Sequence, residues 1–188
     1  MSTSTAPAPV GIAKPLRRLY FIRFAFAVVW AALLFVTGAS LGPVSTTLLV
    51  LYPLFDVAAA VVDARSAKGS KPVTGLYVNV VISLLAAVGL AVAASSGIPA
   101  VLGVWGAWAI VAGLVQLAVG LLRRTLGGQW PVIFSGGISV LAGASFALQA
   151  TKDSASLTTL AGYATLGGIF FLVSALRLGR TANGSDAG

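Results

Sequence analysis

From Leu19 to Leu176 the chain is a succession of six apolar runs, separated by short connections that carry most of the charge. The runs are Leu19 to Leu41, Ser45 to Ala64, Thr74 to Ala94, Pro99 to Leu122, Trp130 to Ala150 and Ser156 to Leu176. A helix rises about 1.5 Å per residue, so ~20 apolar residues cross ~30 Å of hydrocarbon. Each run suffices for one crossing and none for two. Within hydrocarbon every backbone N–H and C=O must be paired inside the segment, so single runs of this kind are helices. The pattern predicts an all-α, polytopic membrane protein with six transmembrane helices. The breaks are chemically marked by Gly42-Pro43 and by Ser95-Ser96-Gly97. Pro99 and Pro131 suit the first turns of the fourth and fifth helices.

The charges then set orientation. Twelve Lys/Arg stand against four Asp and no Glu, a formal net charge of +8. Such a balance can signal nucleic-acid binding, but these residues lie between apolar runs, where they orient a chain in a membrane. With the N-terminus in the cytoplasm, Lys14, Arg17, Arg18, Arg23, Arg65, Lys68, Lys71, Arg123, Arg124, Arg177 and Arg180 fall on or near the inner side, and only Lys152 falls outside. Both termini are therefore expected inside. Residues 1–13 and 181–188 read as disordered tails around a domain at 14–180. A charged start before an apolar run also describes a signal peptide, but the run is long for one and Thr37-Gly38-Ala39-Ser40 is a poor cleavage site, so it reads as a retained span. Only 9% of residues are charged, against ~25% in soluble domains, and mean hydropathy is +0.99. The expected partner is the lipid bilayer, not nucleic acid; a homo-oligomer or a larger membrane complex fits a chain with so little outside the bilayer. There is no Cys and no His, which excludes disulfides, the usual zinc and haem ligand sets, and Cys or His catalysis. No cofactor or metal is expected.

The runs also repeat. Tyr52, Trp108 and Tyr163 are separated by 56 and 55 residues, and Val57, Gly113 and Gly168 share the same offsets. In the odd runs Phe26, Ile82 and Ile138 recur at steps of 56, and Arg23, Asn79 and Ser135 share one position. The reading is three two-helix hairpins, about 14–70, 71–126 and 127–180, descended from one. Each begins and ends on the same side, so the copies are parallel and related by a pseudo-threefold axis along the membrane normal. Inverted copies are the commoner arrangement in alternating-access transporters. Small residues at helical spacing are expected to pack the helices: Ser135, Ser139 and Gly143, with Ala27/Ala31 and Ser83/Ala87 at matching positions, and Ala112, Gln116 and Gly120 on the fourth helix.

Few residues could carry chemistry. Asp56 lies nine residues before Arg65, roughly 13 Å inside the boundary. A carboxylate there costs about 2.5–3.5 kcal/mol on insertion scales and must be paired, wetted or protonated. Asp63 lies two turns further along the same face, and Tyr52 one turn the other way. Pro53 removes a backbone donor between them and is expected to kink the helix. Arg23 sits about one turn inside the first span, within reach of Asp56 or Asp63. A buried ion pair fixing the first hairpin is the favoured reading, and a proton-binding carboxylate at Asp56 the functional alternative. Asn79 and Gln116 are the other intramembrane polar groups, expected to bridge helices. Trp105 and Trp130 read as interfacial, with Trp30 and Trp108 deeper. Gly127-Gly128 and Gly167-Gly168 lack the strand and Lys of a phosphate cradle. No serine has a partner set within the bilayer, so no enzyme is expected.

Trp105-Gly-Ala-Trp108 leading into Ala112-Gly113-Leu-Val-Gln116-Leu117, then Arg123-Arg124, Trp130 and Gly136-Gly137-Ile138-Ser139 with Gly143, resembles the HdeD-like acid-resistance membrane proteins. Leu51-Tyr52-Pro-Leu-Phe55-Asp56 resembles the tyrosine–aspartate motif of their second helix, and Gly168-Ile169 before Leu172 and Arg177 their last. Val57 departs from the Gly that often follows the Asp. The resemblance runs from about Leu16 to Arg180. It implies a bacterial inner-membrane protein of acid or envelope stress resistance, and supplies no molecular activity. The alternative is a small transporter or channel, with a path on the pseudo-threefold axis lined by Asp56, Asn79 and Gln116.

Overall fold

A computed structural model describes residues 10–66, 74–122 and 130–185. Six α-helices and one short turn of 3₁₀-helix account for nearly all of them, and there is no strand among the described residues. The helices are α1 (Val10–Thr37), α2 (Pro43–Ser66), α3 (Thr74–Ala93), α4 (Ile98–Leu122), α5 (Trp130–Gln149) and α6 (Thr158–Ser185). Five of them are long and apolar enough to cross a membrane, and the apolar part of α5, Ile133–Gln149, is shorter. The chain is thus an all-helical protein of multi-pass membrane character.

The ends differ from expectation. α1 starts at Val10, inside the stretch read as a tail, and α6 continues through Ser185. Residues 1–9, the basic connections at 67–73 and 123–129, and residues 186–188 lie outside the described residues.

The outer surface explains the solvent. Val36, Leu85, Val88, Leu122, Leu141 and Leu148 are all more than 60% exposed. A continuous apolar coat of this kind is stable only against hydrocarbon. The interior holds the polar side chains Ser45 and Ser83 among Trp30, Leu34, Leu49, Leu90, Leu102 and Trp105. Ser45 ties the turn before α2: it accepts from the Gly42 N–H at 2.9 Å and lies 3.0 Å from the Ser40 carbonyl.

The helices close a ring in chain order, with α6 returning to α1. Helices joined through the sequence-predicted hairpins pack loosely. The close seams are α2 on α3, α4 on α5 and α6 on α1. Glycine makes the α4–α5 seam. A Cβ on Gly113 would sit 2.7 Å from the Gly136 carbonyl, and one on Gly106 2.7 Å from the Gly143 carbonyl. Both helices therefore present glycines seven residues apart, and their backbones touch. On the α6–α1 seam Gly168 meets Ala27, whose Cβ would be 3.2 Å from an added one. Without Cβ atoms in the way, dispersion contacts replace the hydrophobic drive that lipid does not supply.

Two packing expectations resolve differently. The odd-helix ladder positions Ala27, Ala31, Ser83 and Ala87 are all buried, as is Gly143. The α4 ladder of Ala112, Gln116 and Gly120 is corrected: Gln116 is exposed, and Gly106 and Gly113 face α5 instead. The α4–α5 contacts recur every seven residues, so small residues at a spacing of four do not all line this seam.

Candidate functional site

The intramembrane polar groups meet around Asp56. α1 and α2 run antiparallel, which brings Arg23 of α1 level with Asp56 of α2. The Arg23 guanidinium donates to Asp56 Oδ1 and forms an ion pair with it. Across the seam, Asn79 Nδ2 donates to Asp56 Oδ2 at 2.6 Å and Ser83 Oγ donates to the same oxygen at 2.9 Å. Asn79 and Ser83 are four residues apart on α3, so one helical face presents both. Trp108 of α4 donates through Nε1 to Ser83 Oγ at 3.3 Å. One carboxylate is thus held by three donors, and the chain of bonds runs through four consecutive helices. Charge-assisted bonds of this sort are the strong ones, and they meet the requirement that a membrane charge be satisfied.

The other face of Arg23 is covered by aromatic surface. Its guanidinium carbon lies 4.3 Å from the centroid of Phe171 on α6. A cation over a ring face is attracted by the ring quadrupole, more strongly where water is excluded. The Arg23 and Asp56 side chains are 17% and 15% exposed, so neither is freely hydrated.

Beside this cluster, away from the chain termini, lies an aromatic core. Tyr52 is within 4.6 Å of Trp30, 5.5 Å of Trp105 and 6.2 Å of Trp108, centroid to centroid. Trp30 and Trp105 stack at 5.4 Å. Phe26 and Phe55 stack at 3.7 Å, closing the α1–α2 seam at this level. The Trp30 indole donates to the Leu48 carbonyl at 2.6 Å. Trp105 is fully buried and its Nε1 has no hydrogen-bond partner. The axis of the ring is therefore filled by side chains at this depth. On the far side Tyr163 of α6 and Ser139 of α5 share a hydrogen bond of 2.9 Å.

The expected site residues separate as follows. Arg23, Asp56 and Asn79 come together in one cluster. Tyr52 joins the aromatic core next to it. Asp63 is half-buried two turns further along α2, near Tyr20. Gln116 is exposed on α4 and takes no part. Trp105 is corrected from an interfacial to a core residue, while Trp130 is 68% exposed. Trp105 misleads because its position in the sequence, two turns into α4, suits either a belt or a packed end. Ser83 and Trp108 were not foreseen as members, although Ser83 sits four residues from Asn79, and that spacing is the signal that could have found it.

The Asp56 carboxylate accepts from Arg23, Asn79 and Ser83 and is the centre of the cluster. Among the described residues no group of three potential metal ligands of the His, Cys, Asp or Glu type occurs. No family model, no curated protein and no solved structure matches the chain.

Proposed function

We propose that the chain is a bacterial inner-membrane protein serving acid or envelope stress resistance without catalysing a reaction, and that its six helices cross as three like-facing hairpins with both termini in the cytoplasm. The hairpin reading draws support from register. Trp108 bonds Ser83 and Tyr163 bonds Ser139, and these two pairs stand 55 and 56 residues apart. Likewise Gly113 approaches Gly136 on one seam, and Gly168 approaches Phe24 on another, where an added Cβ would lie 3.6 Å from the Phe24 ring. Phe24 lies two steps of 56 before Gly136. The charge pattern supports the orientation.

The observation that carries the stress reading is Asp56, a carboxylate shared among α1, α2 and α3 in a ring with a filled axis. Its bonds to Arg23, Asn79 and Ser83 tie three helices to one side chain, so a change at that carboxylate reaches all three. The resemblance to HdeD-like proteins supplies the context of acid. A conduit on the axis has less support, because Trp30, Trp105 and Tyr52 occupy it and Gln116 faces outward.

The test is survival. Cells lacking the protein are expected to survive a strong-acid challenge less well, wild-type chain to restore survival, and Asp56→Asn to restore less of it at equal membrane abundance. No defect in the deletion strain sinks the stress reading. Orientation is tested separately with a membrane-impermeant thiol reagent, since the chain has no native cysteine. Cysteine in place of Lys152 should label from outside intact cells and cysteine in place of Lys68 should not. Labelling of both from one side overturns the hairpin topology.

A further inference from the structure

Below the Phe26–Phe55 stack, toward the chain termini, the α1–α2 seam opens. A hollow of about 620 Å³ lies there, lined by Leu19 and Ile22 on α1 and by Phe55, Ala58 and Val62 on α2, with Arg18 at its rim. A second hollow of about 510 Å³ lies on the other side of α1, lined by Arg17, Arg18, Phe21, Ile22 and Ala25. Arg18 and Ile22 belong to both, and they are four residues apart, one above the other on the helix. The two hollows therefore flank a single ridge, and a pair of arginines stands at its head. Both are shallow furrows open along the outer face of α1, the first shared with α2.

The charges at that head are available. Arg17 and Arg18 are exposed, and among the described residues neither is paired with a carboxylate; Arg17 lies 5.5 Å from the centroid of the Phe21 ring. Arg23, five residues deeper, is already held by Asp56 and Phe171. The first candidate span begins at Pro15, which places Arg17 and Arg18 roughly 3–5 Å inside its end, at headgroup depth. The apolar linings continue from there into the hydrocarbon zone.

The geometry points to a bound anionic diacyl phospholipid, its phosphate between Arg17 and Arg18 and one acyl chain in each hollow, astride Ile22. A guanidinium pair recognises a phosphate through charge and paired N–H donors. The two apolar furrows match the two chains of such a lipid, and a second protein copy would leave both arginines facing lipid phosphates in any case. The site is independent of the Asp56 cluster and of the stress reading.

The probe is phosphatidylglycerol against phosphatidylcholine of the same chains, titrated onto the detergent-solubilised full chain and read by native mass spectrometry. Wild type is expected to retain phosphatidylglycerol preferentially. Each arginine contributes about fivefold through its attraction to anionic lipid, so Arg17→Gln with Arg18→Gln should cut the preference about 25-fold. Ala58→Trp fills the α1–α2 hollow without changing charge. It should weaken both lipids alike and leave their ratio intact. Inorganic phosphate at millimolar concentration should not displace the lipid, since it has no chains to seat. An unchanged lipid ratio in the double arginine variant overturns the proposal. So does displacement by phosphate alone, or an Ala58→Trp variant that loses a dimer rather than a lipid.

Discussion

Replacing Gly113 by Ala tests the packing account most sharply, because the same helix carries its own control. An added Cβ at Gly113 would lie 2.7 Å from the Gly136 carbonyl oxygen and 2.9 Å from the Val140 nitrogen. Both are backbone atoms of α5, so no side chain can swing aside. Restoring an ordinary contact of 3.4 Å requires α4 and α5 to separate by about 0.7 Å. A gap of that size forfeits about a quarter to a half of each dispersion contact along the seam. Overpacking of this kind costs typically 1–3 kcal/mol, and contact with backbone places Gly113→Ala toward the upper end. Gly→Ala within a helix gains up to about 1 kcal/mol in propensity, leaving a net loss of about 1–2 kcal/mol. Gly103 lies on the same helix with nothing within 4 Å of an added Cβ. Gly103→Ala keeps the propensity gain and has no clash, so the two variants should differ by about 2–3 kcal/mol. The assay is unfolding by sodium dodecyl sulfate in mixed micelles, followed by tryptophan fluorescence and far-ultraviolet circular dichroism. Unfolding of both variants at the same detergent fraction would refute backbone contact between α4 and α5.

Two further substitutions probe the interior. Removing either Arg23 or Asp56 alone leaves the other charge sheltered and unpaired, which costs about 3–5 kcal/mol for buried pairs. A double-mutant cycle of Arg23→Met and Asp56→Asn should return a coupling of more than about 1 kcal/mol, and additivity would remove the ion pair from the account. Trp30→Phe gives up the bond to the Leu48 carbonyl, whereas Trp105→Phe removes a buried donor that has no partner. Trp30→Phe should therefore be the more destabilising by about 1 kcal/mol or more in the same detergent titration, and the reverse order would show that the Trp105 N–H is satisfied.

The helices were legible because hydrocarbon imposes one solution on an apolar run of this length. The Arg23–Asp56 pair was legible for a related reason: a charge in a span must find a partner, and an antiparallel neighbour offered one at the right depth. Gln116 was not, because an amide weighs little enough to lie on an exposed face, and sequence alone does not say which face of α4 is turned inward. The same uncertainty of rotation hid the seam. Gly106, Gly113, Gly136 and Gly143 are plain in the sequence, but glycine is common throughout the chain, and only the crossing angle selects a spacing of seven over four. Trp105 shows the limit from the other side. Its aromatic ring suits the interface, and nothing local reveals that Trp30 and Tyr52 wait across the ring to receive it.

The ring has a consequence for how the molecule is made. Its closing seam joins α1, made before the other five helices described, to α6, made after them. Until α6 has entered the bilayer, Ala27 has no Gly168 against it and Arg23 has no Phe171 over its guanidinium. α1 must therefore wait, its arginine held by Asp56 alone, until α6 packs against it. A chain interrupted before Gly168 leaves the ring open beside that arginine.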